Sequence, residues 1–309
     1  MDNEKWCNRF QRSVDKYGEY KNLARGAEMV RGLYTGASGM IAQMKRIDVV
    51  SNNMANVDTP SYKKDLSIMK AFPEMLMRRI NDDGVRRIPI GSYDLMPVIG
   101  KMGTGVEVNE VYTRFAQGAI KQTHNDFDFA LEGEGFFCVE TENGERYTRN
   151  GSFLIDSDGY LVTKEGYRVL GENGQIQIKK HNFMVDEDGN IFVNQEYTED
   201  PLRLVSMEEN EWNEQELLDR LKIVNFPKVR YVKKIGDSLY RETEYSEEAF
   251  IIEDNRPKVR QGSIEASNVN PVSEMVNLIE VHRSYDANQK AIQTSDAMLG
   301  RAINEVGRA

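Results

Sequence analysis

The stretch FFCVETENGERYTRNGSFLIDSDGYLVTKEGYRVL, residues 136–170, decides the fold class. Within it Phe136-Phe137-Cys138-Val139, Arg146-Tyr147-Thr148, Ser152-Phe153-Leu154-Ile155, Tyr160-Leu161-Val162 and Tyr167-Arg168-Val169-Leu170 are short runs rich in aromatic and aliphatic side chains, the pattern of β-strands. They are separated by Asn143-Gly144, Asn150-Gly151, Asp158-Gly159 and Glu165-Gly166, where glycine supplies the positive φ of a tight hairpin. The pattern repeats with Gln175-Ile176-Gln177-Ile178, Phe183-Met184-Val185 and, after Asp188-Gly189, Ile191-Phe192-Val193. Later strands are predicted at Leu202–Val205, Leu221–Phe226, Val229–Ile235 and Ser238–Arg241, whereas Glu208–Asp219 is too acidic to assign. A strand meander with no helix inside it argues for an all-β module with short edges. Upstream, residues 58 to 115 mix Gly, Pro and charge and read as an extended connection with a few strands.

On either side the apolar period changes from about 2 to about 3.5. Leu33, Ala37, Met40, Met44 and Ile47, then Met54 after the small Ser51, keep a four-three rhythm, which holds one seam toward a partner helix. Gly32, Gly36 and Gly39 each weaken an isolated helix by about 1 kcal/mol relative to Ala, so this helix needs packing, and their small size permits close approach. Asp58-Thr59-Pro60 ends it near Asn56. A second helix opens at Asn270-Pro271 and runs to about Ile303. Its heptad row is Met275, Leu278, His282, Tyr285, Gln289, Ile292, Leu299 and Ile303, flanked by Val276, Ile279 and Ala291. The expected fold class is therefore α+β, with paired N- and C-terminal coiled-coil-like helices bracketing a mainly antiparallel all-β module. Such helices pack on one another and on neighbouring subunits. Gln117-Gly118-Ala119-Ile120 before the module echoes Gln261-Gly262-Ser263-Ile264 after it, which predicts that the two segments lie side by side where the chain leaves and re-enters.

Composition removes several function classes. Across 309 residues, 40 Lys plus Arg against 50 Asp plus Glu give a net charge of −10, which opposes nonspecific attraction to nucleic acid or anionic lipid. Cys7 and Cys138 allow at most one bridge, and none is expected to be required. No window has the apolar length of a membrane span, and the start lacks a signal-peptide pattern. His124, His181 and His282 lack partners at zinc-ligand spacing. Asp186, Asp188 and Asn190 imitate a calcium loop, but Ile191 replaces the turning glycine and Tyr197 the bidentate glutamate, so a hairpin turn is expected. Gly100-Lys101 lacks the rest of a phosphate loop, Gly133-x-Gly135 is followed by Phe136-Phe137 instead of a helix, and Ser61-x-x-Lys64 lacks its partner motifs. No catalytic, cofactor or metal residue is expected.

Several blocks carry a family resemblance. Residues 29–40 (MVRGLYTGASGM) and 48–63, with Ser51, Asn52, Asn53, Ala55 and Asn56 at their centre, closely resemble the N-terminal signature of bacterial flagellar rod and hook proteins. Similar blocks recur at residues 128–137, 147–153 and 161–167. They end with Gln261, Gly262, Asn268, Val269 and Asn270, followed by residues 274–279 and 283–290. The resemblance is closest to the basal-body rod subfamily, distal or proximal. It implies a structural axial subunit, not an enzyme, that polymerises helically and transmits torque from motor to hook. It further implies export through the flagellar secretion apparatus without a cleaved Sec signal. Its implied partners are copies of itself, neighbouring rod and hook proteins, the export apparatus and the bushing rings around the rod, with no nucleic acid and no direct membrane insertion. The terminal helices would form the inner tube domain, from residues 29–57 and 258–309, with an extended linker at 58–121 and the β module at 122–257. Residues 1–28, with six basic and five acidic side chains and a Trp6, Phe10, Val14, Tyr17 stripe, precede the point where family chains begin, so translation from Met29 is an expectation that N-terminal mass spectrometry tests. Two alternatives are a non-catalytic β-module interaction or hook-like protein, and a hydrolase using scattered carboxylates. The hydrolase predicts a concave pocket with strongly shifted acids.

Overall fold

The computed structural model describes residues 32–78, 85–88, 91–94, 98–178, 183–194, 215–252 and 256–306. The leader 1–28 and the strand predicted at Leu202–Val205 lie outside the described residues, as do Cys7 and His181. The fold is α+β, with mainly antiparallel strands between a helix at 32–55, α1, and a helix at Pro271–Arg301, α2. Two compact units share the chain. One holds the residues up to Val50, Ser67–Val111 and those from Val276; the other holds Ser51–Leu66 and Tyr112–Met275.

The second unit is organised by the strand Phe136–Thr141. One edge of this strand pairs with Gly144–Thr148, and residues along it also pair with Arg168–Val169 and Ile223–Asn225. The sheet continues through Phe153–Ile155 and Leu161–Thr163 on one side and through Leu239–Arg241 and Lys233–Gly236 on the other. Alternate residues of the central strand enter different cores. Phe137 and Val139 join Phe153, Leu161, Ile176 and Ile223, while Phe136 and Cys138 join Tyr147, Phe226 and Tyr240. Both faces are thus covered, which is why the strand reads as a continuous apolar run instead of an alternation. Edge-to-face ring pairs fix both sides, with Phe137 and Phe153 centroids 5.4 Å apart and Tyr147 and Phe226 4.9 Å apart. Burial pushes the Cys138 thiol up to about 12. A thiol-selective alkylating reagent is expected to leave Cys138 unmodified in the folded chain and to modify it once denaturant is added.

The structure differs locally from the sequence expectation at three places. Gln175–Ile178 forms isolated bridges, from Tyr160 to Gln177 and from Leu170 to Gln175, although Ile176 and Ile178 are fully buried. Val229–Tyr231 is a short 3-10 turn before the strand Lys233–Gly236. Inside the acidic stretch left unassigned, Gln215–Arg220 is a strand paired with Asn190–Asn194. There the buried Asp219 carboxylate accepts hydrogen bonds from the Asn173 side chain and the Arg220 amide, which offsets its desolvation. The Asp186–Gly189 segment is a hairpin turn, closed by Gly189 N donating to Asp186 O.

In the first unit, α1 and α2 meet along their smallest residues. A Cβ at Gly36 would lie 2.9 Å from Ile292 Cγ1, one at Gly39 would lie 2.9 Å from Asn288 Nδ2, and one at Gly32 would lie 3.9 Å from Ser295 Oγ. Residue numbers rise on one helix as they fall on the other, so the contact is antiparallel. Strands between the helices pair in nested antiparallel fashion: Asp65–Ala71 with Val106–Thr113, Met75–Arg78 with Val98–Met102, and Val85–Ile88 with Gly91–Asp94. Gly105 permits the closest approach here, because a Cβ would fall 2.6 Å from both the Phe72 ring and Ser38 Oγ.

Candidate functional site

The last turn of α1, the segment after it and the segment leading into α2 meet in one buried junction within the second unit. Thr59-Pro60 turns the chain out of α1, and Ser61 follows in a left-handed conformation, φ 57°. Its buried amide donates to Glu265 O at 2.7 Å. A non-glycine residue in that conformation carries about 1–3 kcal/mol of strain, which the surrounding contacts must hold. Asn53, also buried, accepts from Asp65 N and donates to Asp65 O at 2.9 and 2.8 Å, so it closes the helix end onto the following strand. Asn268 does the equivalent for the other end. Its Oδ1 accepts from Lys64 N, its Nδ2 donates to the carbonyls of Arg114 and Ala116, and its own amide donates to Tyr62 O.

The two Gln-Gly segments lie side by side. Ile120–Gln122 pairs antiparallel with Ser263–Glu265, placing Ile120 opposite Glu265. Each glutamine bridges two backbone groups: Gln117 donates to Leu131 O and accepts from Gly133 N, while Gln261 donates to Asp126 O and accepts from Val185 N.

At the centre sits a buried ion cluster. Lys63 Nζ lies 2.5 Å from Glu265 Oε1 and also donates to Ala116 O, and Arg149 Nε donates to Glu265 Oε2 at 2.8 Å. The remaining guanidinium nitrogens donate to the carbonyls of Leu131, Gly133 and Gly135, and Gly118 N donates to Glu265 Oε1. Lys63 and Glu265 are each 1% exposed. Burial alone would favour a neutral Glu265, but the Arg149 and Lys63 cations and their hydrogen bonds hold its carboxyl below the usual carboxylate range. A depressed folded-state pKa contributes stability above the unfolded pKa, and that stability is lost as pH falls through the folded value. Denaturant titrations from neutral pH into the acid range should therefore show stability falling on acidification, with Glu265→Gln less stable at neutral pH and less sensitive to acid. Equal slopes for the two proteins would mean that Glu265 carries none of the linkage.

The junction ties segments from both ends of the chain to the β unit. Glu265 and the exposed Glu187 are both held low by neighbouring cations, the opposite of what a general acid requires. Among the described residues no group of three His, Cys, Asp or Glu is placed to hold a metal, and no helix is long and apolar enough to cross a membrane.

The seam residues named from sequence are distributed differently. Leu33, Ala37, Met40, Ile47, Met54, Leu278, Ile292 and Leu299 are half-buried, whereas Met44 is 50%, Met275 52% and Ile303 70% exposed. The covered row on α2 is Glu274, Leu278, Val281, Tyr285, Asn288, Ile292, Ser295 and Leu299. It shares every second member with the expected row and lies one residue earlier at the others, which leaves His282 and Gln289 exposed. Of the signature residues, Asn53 and Val269 are buried, Asn56, Gln261, Gly262 and Asn268 are half-buried, and Ser51, Asn52, Ala55 and Asn270 are exposed. Asn270 caps α2, its Oδ1 accepting from Val272 N and Ser273 N. Sequence reasoning assigned no role to Lys63, Arg149 or Glu265, and met Ser61 only in a tetrapeptide that it set aside. Partners more than a hundred positions apart leave no local spacing to read.

Three family models match successive parts of the chain. The flagella basal body rod protein model covers residues 33–63, the flagellar hook protein FlgE/F/G D1 domain covers 130–193, and the flagellar basal body rod FlgEFG protein C-terminal model covers 260–305. The flagellar basal-body rod protein FlgG of Borreliella burgdorferi is 34% identical over 285 residues, spanning 89% of this chain and 98% of that protein. The chain belongs to the flagellar basal-body rod protein family. The FlgG of Bacillus subtilis is 31% identical, with 89% and 99% covered, and the FlgF of Caulobacter vibrioides is also 31% identical, with 91% and 99% covered. Rod-family sequence therefore runs through the junction from all three directions. Lys63 falls in the first matched segment, Arg149 in the second and Glu265 in the third.

Proposed function

We propose that the chain is a structural axial subunit of the flagellar basal-body rod that polymerises helically through its terminal helices and transmits torque from motor to hook. The observation that carries this reading is the set of large apolar side chains left exposed on the helix pair. The contact between α1 and α2 sets Gly32, Gly36 and Gly39 against Ser295, Ile292 and Asn288, while Tyr34, Ile41 and Met44 on α1 and Met275, Val276 and Ile279 on α2 are left exposed. A helix pair that leaves this much large apolar surface outside forgoes part of the hydrophobic stabilisation open to it. Burial against further copies supplies what the single chain lacks, and an open helical polymer provides it through heterologous contacts that do not close.

On this reading the helical segments 29–57 and 258–309 form a coiled-coil-like inner tube, with 58–121 as the linker and 122–257 as the β module. Leu33, Ala37, Met40, Met44, Ile47, Met54, Met275, Leu278, Ile292, Leu299 and Ile303 form the assembly seam. Neighbouring rod and hook proteins, the export apparatus and the surrounding bushing rings are its partners. The subunit works without catalysis or cofactor, resides in the basal body and is exported without a cleaved Sec signal. Immunogold labelling along purified basal bodies tests the placement, and label confined to the hook or absent from the rod would overturn it. Calorimetry with zinc and calcium is expected to show no tight stoichiometric uptake. Binding abolished by changing Asp186 and Asp188 would contradict the structural reading of that turn.

A further inference from the structure

We infer that Glu265 is the pin of a latch that releases both helix ends together, while the cores of the β unit stay folded. This rests on the rod reading, because only a subunit that assembles through its terminal helices has use for coupling their ends. One carboxylate side chain, from the segment before α2, receives Lys63 from the segment after α1, the Gly118 amide from the segment entering the module, and Arg149 from inside the module. Its backbone carbonyl receives the strained Ser61 amide. Around that centre the helix ends are cross-tied. Lys64 Nζ lies 3.6 Å from the buried Glu274 of the first turn of α2, Lys64 N is bonded to Asn268, and Asn53 in the last turn of α1 is bonded to Asp65. Lys234 Nζ also reaches Lys63 O and Asp65 Oδ1.

None of these ties can be lost singly without exposing the others. Without the Glu265 carboxylate, Lys63 and Arg149 are two buried cations with no counterion between them, and the Lys63 side chain relaxes by swinging toward water. That movement carries the 61–65 backbone with it and removes the acceptors and donors that Asn53, Asn268 and Lys64 use. The two hydrophobic clusters contain no residue of segments 51–66 or 266–275, so they have no reason to open with the latch. The strained Ser61 conformation adds to the bias toward release once the acceptor moves. The locked state therefore requires the C-terminal segment, and the end of α1 is fixed only after residues 258–274 have docked.

Hydrogen exchange on the full-length, unassembled chain tests the latch. In Glu265→Ala, amides of Ser61, Lys64, Asp65, Gly118 and Asn268 are expected to exchange at least about tenfold faster, while those of Val139, Leu161 and Ile223 keep their protection. Lys63→Met should produce a smaller change at the same positions. Uniform loss of protection across the unit would overturn the inference and leave Glu265 as a general stability residue. Acceleration confined to the immediate neighbours of residue 265 would overturn it too. Should Glu265→Ala fail to fold, the isosteric Glu265→Gln gives the same discrimination. The measurement uses monomers, so its failure leaves the rod reading standing, and a failure of rod localisation leaves the exchange pattern intact.

Discussion

Met44→Asp is expected to abolish rods while the subunit stays folded. Met44 is half exposed on α1, where Tyr34 and Ile41 are exposed as well. In the isolated chain an aspartate there stays hydrated, and its effect on stability should be within about 0.5 kcal/mol. In a polymer that buries this face, each copy takes one unpaired carboxylate out of water, at about 3–5 kcal/mol per subunit. Because every copy repeats the same contact, the penalty recurs at each addition and elongation stops. Lys45→Glu is the control: Lys45 is exposed and lies 3.9 Å from Asp48, so its loss should change stability by only about a few tenths of a kcal/mol. Motility and basal-body microscopy read the outcome. Rods of normal length and number from Met44→Asp cells would show that the exposed helix face does not govern assembly, even though the chain belongs to the rod family.

What could be read from residues alone follows the range of the interactions involved. Most of the hairpin meander was legible because a turn glycine sits beside the strands it joins: Gly144, Gly159, Gly166 and Gly189 have the positive φ the pattern requires. The helix limits were legible for the same reason, with α1 ending at residue 55 beside Asp58-Thr59-Pro60 and α2 beginning at Pro271. Among the turns Asn150-Gly151 is the exception: the strands on either side of it do not pair, its φ is not positive, and the glycine serves close approach instead, since a Cβ there would fall 1.9 Å from Phe129 O. The Gln-Gly echo also located the junction, although its two glycines serve different ends: Gly118 permits close approach to Ala266, and Gly262 takes a positive φ of 70°. The choice of row on the helices was harder. A heptad rhythm in apolar residues marks a stripe, but the α1 residues that meet α2 inside this chain are the glycines one position earlier, which carry no hydropathy signal. Nor could the acidic strand Gln215–Arg220 be separated from a solvated loop, because Leu217 and Leu218 are exposed and Asp219 is buried through contacts made elsewhere. The ion cluster was least legible. Lys63, Arg149 and Glu265 are ordinary charged residues in sequence and become exceptional only when the fold removes all three from water.

Gly118→Ala is expected to destabilise the junction more than any surface change. The position tolerates no side chain, since a Cβ would fall 1.9 Å from the Ala266 carbonyl oxygen and 3.0 Å from its carbon. Both atoms are backbone, so no rotamer change relieves the clash, and the two segments must separate by more than 1 Å to reach van der Waals distance. That separation acts directly on the bonds that close the site, Ala266 N to Ala119 O at 2.8 Å and Gly118 N to Glu265 Oε1 at 2.6 Å. The second of these is a charge-assisted bond to the buried carboxylate, and its loss leaves Glu265 short of one donor where water cannot replace it. Overpacking and the two lost hydrogen bonds together should lower unfolding stability by about 3 kcal/mol or more. Gly100→Ala provides the contrast, because a Cβ there meets nothing within 4 Å and its effect should stay within about 0.5 kcal/mol. Equilibrium denaturation of both variants decides the matter. Equal midpoints would mean that the 118 and 266 backbones part without penalty, and that the close approach of the two Gln-Gly segments contributes nothing to holding the helix ends.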